Sequence, residues 1–296
     1  MIKRKLTPRL LKTVKNSESQ LIIPWHDFET FCSYCKIRSG NEIKDFNLYS
    51  YQTDFAKLID SHSVIVCCKS RQLGLTQVIL AKFIYKALFN KAYVAVIYQR
   101  NQADSSNIAR RARQILDSLY QFGIVNESDN LGYMKVKNGG EIHFKNSSKE
   151  GSRSLDSVSD FLFDESAFSD NIKDIYNASS ASSAMVKNGC KILVSTPNIK
   201  SGFFWDMLNN NNPLDVENAI LEIKNGLTKP FHYWLDSNKF CKVLIHWKAH
   251  PIYSQNPNYL EYRKLQDGTD FETVSREYDL TFVNSSESVF NAIDVK

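Results

Sequence analysis

"KSRQLGLT", residues 69–76, joins a short β-branched run to a long helical pattern, and its reading decides the fold. A phosphate-binding loop is usually written G-x-x-x-x-G-K-[ST]. With Gly74 on the second glycine, Thr76 takes the hydroxyl position. Leu75 then stands where lysine is usual, and Lys69 stands where the first glycine is usual. The physical ingredients of an anion cradle survive these changes. A turn between strand and helix aims backbone N–H groups at one point, and the helix N-terminus adds its positive end. Gly74 lets the backbone come close. Lys69 at the start of the loop and Arg71 inside it supply cations on flexible stems. Alone, the segment reads as well as an ordinary strand–helix turn.

The surroundings favour the cradle. "SVIVCC" (63–68) is a β-branched run suited to a buried strand. Residues 76–89 have the pattern of a largely buried helix. "AYVAVIY" (92–98), "DFLFDES" (160–166), "CKILVSTPN" (190–198) and "KVLIHWKAH" (242–250) read as further strands. Residues 105–123 read as a helix: Ile108, Ala112, Ile115, Leu116 and Leu119 share one face, Arg110 and Arg113 lie roughly opposite, and Gly123 stops it. Residues 133–146 read as a hairpin turning at Asn138-Gly139-Gly140. Helical spacing also marks 27–37 and "SYQTDFAKLIDS", while residues 1–20 are expected to be mobile. This order predicts an α/β fold with a mostly parallel sheet and helices on both faces. Ligands on such sheets sit at the carboxyl ends of the strands, where both the loop and the acids of "FDES" fall.

Two further stretches complete a chemistry. A phosphate-loop ATPase needs an acid at the end of a second buried strand to hold Mg2+, and a neighbouring carboxylate to orient or deprotonate the attacking water. Asp164 and Glu165 follow Phe161-Leu162-Phe163 and supply both. Thr76 offers its hydroxyl to the same Mg2+. In "ILVSTPN", Thr196 ends an apolar strand, positioned to hydrogen-bond toward the γ-phosphate or the catalytic water.

With these motifs in order, the chain resembles the ATPase domain of the large terminase subunit of tailed bacteriophages. The resemblance runs from about residue 45 to 290 through "SYQTDF", "SRQLGLT", "FLFDESAF", "VSTPNIKSGFFWDM" and "SREYDLTFVNSSESVF". It implies a P-loop NTPase of the ASCE/RecA-like kind with a small lid subdomain. On this scheme residues 1–44 are an extension contributing to the lid, 45–260 the ATPase core and 261–296 a lid or linker segment, with the nuclease domain of the family absent. It implies ATP and Mg2+ as cofactors and a deviant loop, residues 69–76 (Lys69, Ser70, Arg71, Gln72, Leu73, Gly74, Leu75, Thr76), in which Lys69 is the phosphate-binding cation. Tyr51 and Gln52 are implied as the adenine contact, Asp164 and Thr76 as the Mg2+ holders, Glu165 as the catalytic carboxylate, and Thr196 as part of the coupling motif. An arginine finger is implied too: Arg71 in cis or Arg153 in trans from a ring neighbour, with Arg153 favoured.

The implied activity is ATP hydrolysis that drives double-stranded DNA into a procapsid. The implied partners are DNA, a portal protein, a small terminase subunit and further copies of the chain. Those copies form a ring, expected as a pentamer, when active; the isolated chain is expected as a monomer in the host cytoplasm. Because the loop lacks lysine before Thr76, a nucleotide-gated module that does not hydrolyse stays open. So does a helicase-like DNA remodeller. The net charge of +5 over 296 residues is mild, so it permits a nucleic-acid partner without arguing for one. Arg100, Arg110, Arg111, Arg113, Lys145 and Lys149 are candidates for DNA backbone contact. Lysines interrupt every long apolar run, which argues against a membrane span. Cys32 and Cys35 form one CxxC without a second pair, which argues against a zinc site.

Overall fold

The computed structural model describes residues 12–16, 19–128, 130–137, 139–147 and 155–284, with side chains from Ile23 onward. Arg153, Lys149, Asn138 and most of the "NSSESVF" segment lie outside the described residues. A small antiparallel pair opens the described residues, β1 (Lys12–Asn16) and β2 (Ser19–Ile23), overlapping the stretch 1–20 expected to be mobile. Then come α1 (Phe28–Tyr34), the hairpin β3 (Lys36–Ser39) and β4 (Glu42–Asp45), and α2 (Ser50–Ser61). The core continues with β5 (Val64–Lys69), α3 (Leu75–Phe89), β6 (Val94–Gln99), α4 (Gln102–Asp117), β7 (Tyr133–Lys135) and β8 (Glu141–Asn146). It goes on through β9 (Asp160–Asp164), α5 (Ile172–Ser182), β10 (Cys190–Ser195), α6 (Gly202–Asn209) and α7 (Val216–Lys224). β11 (Phe231–Leu235), β12 (Cys241–Ile245), α8 (Tyr259–Asp267) and α9 (Phe271–Tyr278) complete the described chain.

The large sheet has the order β11-β12-β5-β10-β9-β6-β8-β7. Its inner strands are parallel, and β11 and β7 close the two edges antiparallel. Residues of the parallel strands alternate between two apolar layers, as the period of a strand requires. Ile65, Cys67, Ile97, Leu162 and Ile192 pack toward α2, α3 and α4. Val66, Cys68, Phe161, Phe163 and Leu193 pack toward α5, α6 and α7. Burial on both faces explains why these strands read as continuous apolar runs. Residues 23–46 join the first layer through Trp25, Phe31 and Phe46. A separate small cluster of Trp247, Tyr259, Val274 and Tyr278 holds α8 and α9 together.

Helix starts follow their caps. Asp27, Asn101 and Asp270 each accept from the backbone N–H three residues on, at 2.7, 2.9 and 2.6 Å. The Asn101 cap starts α4 before the expected residue 105, and the helix gives way to a tight turn that Gly123 closes at φ 74°. Among the described residues no helix is long and apolar enough to cross a membrane.

Candidate functional site

β10 lies between β5 and β9, so the loop after β5, the acids after β9 and Thr196 after β10 emerge side by side at the carboxyl end of the sheet. A cleft of about 770 Å³ opens there, lined by Arg71, Thr76, Gln99, Asp164, Glu165 and Thr196 among others. The geometry of the loop is set by its carbonyls. Tyr51 Oη and Gln52 Nε2 both donate to the Leu73 carbonyl, at 2.7 and 2.9 Å, and Tyr253 Oη donates to the Gln72 carbonyl at 3.3 Å. In a trans peptide the next N–H points the opposite way. Pinning these carbonyls therefore turns the N–H groups of Leu73 and Gly74 to the other side of the loop. Among the described residues, the N–H groups of residues 72–76 have no acceptor, so they are free for an anion. Gly74 holds φ 73°, which a side chain would strain, and a Cβ there would displace Gln52 Nε2, which would lie 2.8 Å away.

Lys69 ends β5 with 6% exposure, its Nζ 3.8 Å from Glu165 Oε1. Leu73 and Leu75 are buried and contribute backbone alone. Ser70 is buried and gives its hydroxyl to the Tyr278 carbonyl. Arg71 is half exposed, with Nη1 3.0 Å from Glu277 Oε2. Tyr51 and Gln52 sit behind the loop as braces. Gln52 Oε1 also accepts from the Tyr49 N–H at 3.0 Å, which commits both ends of its amide.

Asp164 Oδ2 accepts from Thr76 Oγ1 at 3.2 Å and from Gln99 Nε2 at 3.0 Å. Its Oδ1 is buried and has no partner among the described residues. A buried carboxylate oxygen left bare is costly, and beside a threonine hydroxyl it fits a hard cation that takes oxygen ligands. No group of three or more His, Cys, Asp or Glu among the described residues forms a metal cage. A Mg2+ ion here would therefore take its other ligands from phosphates and water, as Mg2+ usually does.

Glu165 adopts a left-handed backbone, φ 52° and ψ 41°, in the turn off β9. Such a conformation in a non-glycine residue costs about 1–3 kcal/mol, and the surrounding turn must hold it. Burial pushes its carboxyl up; Lys69 pulls it back, while Asp164 and Glu277 add to the rise. The turn it begins is fastened to the end of β10. Ser166 Oγ donates to the Val194 carbonyl at 3.3 Å, the Ala167 N–H donates to Ser195 Oγ at 3.2 Å, and Asn198 Nδ2 donates to the Ala167 carbonyl at 2.8 Å. Glu165 and the buried Thr196 thus belong to one rigid unit.

Sequence reading passes over Gln99 and Glu277. Gln99 ends a buried strand beside β9, a position the carboxyl-end rule marks. Glu277 is 206 residues from Arg71 along the chain, and no local pattern marks it. Among the expected DNA contacts, Arg100, Arg110 and Arg111 line this same cleft. Arg113 instead clamps a turn through the carbonyls of Asn130 and Tyr133, a structural task.

A family sequence model described as "Terminase large subunit, T4likevirus-type, N-terminal" matches residues 66–296. The fold is similar to the large terminase ATPase domain of Thermus phage P74-26, with TM-score 0.56 and 14% identity over 80% of this chain and 95% of that one. It is similar to the HK97 bacteriophage large terminase, with TM-score 0.56 and 13% identity over 86% of this chain and 54% of that one. It is also similar to the large terminase of a thermophilic bacteriophage in complex with ADP, with TM-score 0.52, 11% identity and coverage of 80% and 54%. The chain spans about half the length of the last two proteins. At these identities the likeness speaks for the fold, that of a P-loop NTPase.

Proposed function

The chain belongs to the large terminase subunit family, T4-like-virus type, as its N-terminal part, and from that premise we propose that it is a Mg2+-dependent ATPase that drives double-stranded DNA into a procapsid. The observation that carries the reading is the bare Asp164 Oδ1 beside the Thr76 hydroxyl, at the mouth of a loop whose N–H groups lack acceptors.

In this reading the N–H groups of residues 72–76 and the ammonium of Lys69 hold the phosphate chain. Thr76 and Asp164 hold Mg2+, and Gln99 fixes the Asp164 carboxylate by its hydrogen bond. Mg2+, when bound, neutralises charge on the phosphate oxygens. Glu165 orients the attacking water and accepts its proton, and its raised basicity suits it to that task. Lys69, 3.8 Å away, keeps the carboxylate in place until phosphate draws the lysine off. Thr196 shares the rigid turn of Glu165 and passes the state of the site to the segment after β10. Tyr51 and Gln52, the expected adenine contact, also act on the nucleotide through the loop they brace, to which the Tyr51 hydroxyl and the Gln52 amide are already bound. The finger is Arg71 in cis or Arg153 in trans.

DNA, portal protein, small terminase subunit and a ring of five copies are the proposed partners. A motor that moves along any sequence grips the phosphate backbone rather than base edges. The direct test is phosphate release from ATP and Mg2+, with ATP binding measured in parallel. Wild-type chain should release phosphate, and Glu165→Gln should bind ATP without releasing it. Release by Glu165→Gln at the wild-type rate would remove Glu165 from the chemistry.

A further inference from the structure

The cleft does not end at the acids. Gln99, bonded to Asp164, is the last residue of β6, and Arg100 begins the next wall. From there one stripe of α4 lines the cleft: Asp104, Asn107, Arg111 and Gln114 recur at the spacing of three or four that keeps residues on one helix face. At a helical rise of about 1.5 Å per residue, this stripe carries the wall about 15 Å outward from Asp104. The hairpin β3–β4 lies against the far part of α4, where the Lys36 N–H donates to Ser118 Oγ at 3.0 Å. It brings Arg38 and Gly40 to the same cleft. The hairpin lies outside the matched residues 66–296.

Charge is graded along this path. The inner end holds Asp164 and Glu165, and the cations there, Lys69 and Arg71, are each paired with a carboxylate. Next, Arg100 Nη2 stands 3.8 Å from Asp104 Oδ2, so these two charges offset each other. Beyond them, Arg38, Arg110 and Arg111 have no carboxylate partner among the described residues. Arg110 Nη1 donates to Asn107 Oδ1 at 2.9 Å and Arg38 Nε donates to the Gly40 carbonyl at 3.1 Å, which leaves the rest of each guanidinium fork open. The lysines of the hairpin are instead paired by its own acids, Lys36 with Asp45 at 2.7 Å and Lys44 with Glu42 at 3.0 Å. An anion formed beside Asp164 and Glu165 is therefore drawn toward three open arginines at the other end.

We propose that Arg38, Arg110 and Arg111 form a second anion seat at the outer end of the cleft, and that it receives the inorganic phosphate split from ATP beside Glu165. This rests on the proposed ATPase activity. Hydrolysis leaves ADP on the loop and a free phosphate whose oxygens match the guanidinium forks. The sequence marks Arg110 and Arg111 for the DNA backbone. A cleft that they share with Asp164 and Glu165 suits instead a small anion that arrives from within.

The experiment uses the full chain loaded with ADP and Mg2+, with inorganic phosphate as the titrant. Calorimetry compares the wild type with Arg38→Gln, Arg110→Gln and Arg111→Gln, and binding of a DNA duplex by each is measured in parallel by fluorescence anisotropy. The wild type should bind phosphate saturably. Each variant should bind it about tenfold more weakly, as loss of a charge-assisted hydrogen bond implies, with ADP affinity unchanged. Inhibition of turnover by added phosphate should weaken in the same variants. Phosphate affinity equal in the wild type and all three variants would overturn the seat, and so would variants that lose DNA binding while keeping phosphate. ADP affinity reports folding of each variant, and if one does not fold the other two decide. Wild-type chain that binds ADP but no phosphate overturns the seat alone; wild-type chain that neither binds ADP nor hydrolyses ATP overturns the ATPase reading with it.

Discussion

Lys69 and Glu165 face each other across 3.8 Å, and each explains the other's position. A covered ammonium at the end of β5 needs an anion. Glu165 is that anion, and in the proposed reading it serves until the phosphate arrives, which holds the lysine at the front of the loop ready beside the chemistry. Gln99 does similar work on Asp164, leaving one carboxylate oxygen bare, as the proposed metal site requires. Gln99→Leu should keep ATP binding but raise the Mg2+ concentration needed for half-maximal turnover, as a titration of rate against Mg2+ will show. Glu165 also carries a pH signature. Because burial raises its carboxyl, turnover should fall as pH drops through that raised value, earlier than for an ordinary carboxylate near about 4.3.

At the scale of elements, the loop is stiff because three side chains from outside it hold its carbonyls. Gln52→Ala removes one of these holds and the cap on Tyr49. A lost hydrogen bond of this buried kind costs about 1–3 kcal/mol. We expect a lower melting temperature and weaker ATP binding with the turnover of the bound complex largely kept, seen as a rise in KM larger than the fall in kcat. The inner strands are legible in sequence because burial on both faces leaves them uniformly apolar. The edge strand β11, "FHYWL", is not, since it is partly exposed and carries no clean alternation. α5, rich in serine and alanine, buries only Ile172, Ile175 and Ser179, so just two apolar residues mark its inner face. The loop, the paired acids and Thr196 are legible because each combines a strand end with a distinctive residue. The bracing role of Gln52 and the Arg71–Glu277 pair are not, because both depend on contacts between distant segments.

For the whole molecule, the placement of β10 between β5 and β9 turns three separate motifs into one site, and α9 meets that site through the loop. In the proposed ring, Arg153 would act from a neighbouring copy. If it reaches a neighbour's nucleotide, specific activity should rise steeply with protein concentration; a specific activity independent of concentration would favour Arg71 in cis. The central claim remains that the phosphate-binding cation comes from the front of the loop. Its most direct measurement is ATP binding and phosphate release by Lys69→Ala beside the wild-type chain. Removing a preorganised cation or donor from such a site typically costs about 10²–10³ in rate. We predict a loss of that order in turnover with clearly weakened binding, whereas Lys69→Ala that binds and hydrolyses ATP as the wild type does would contradict the account.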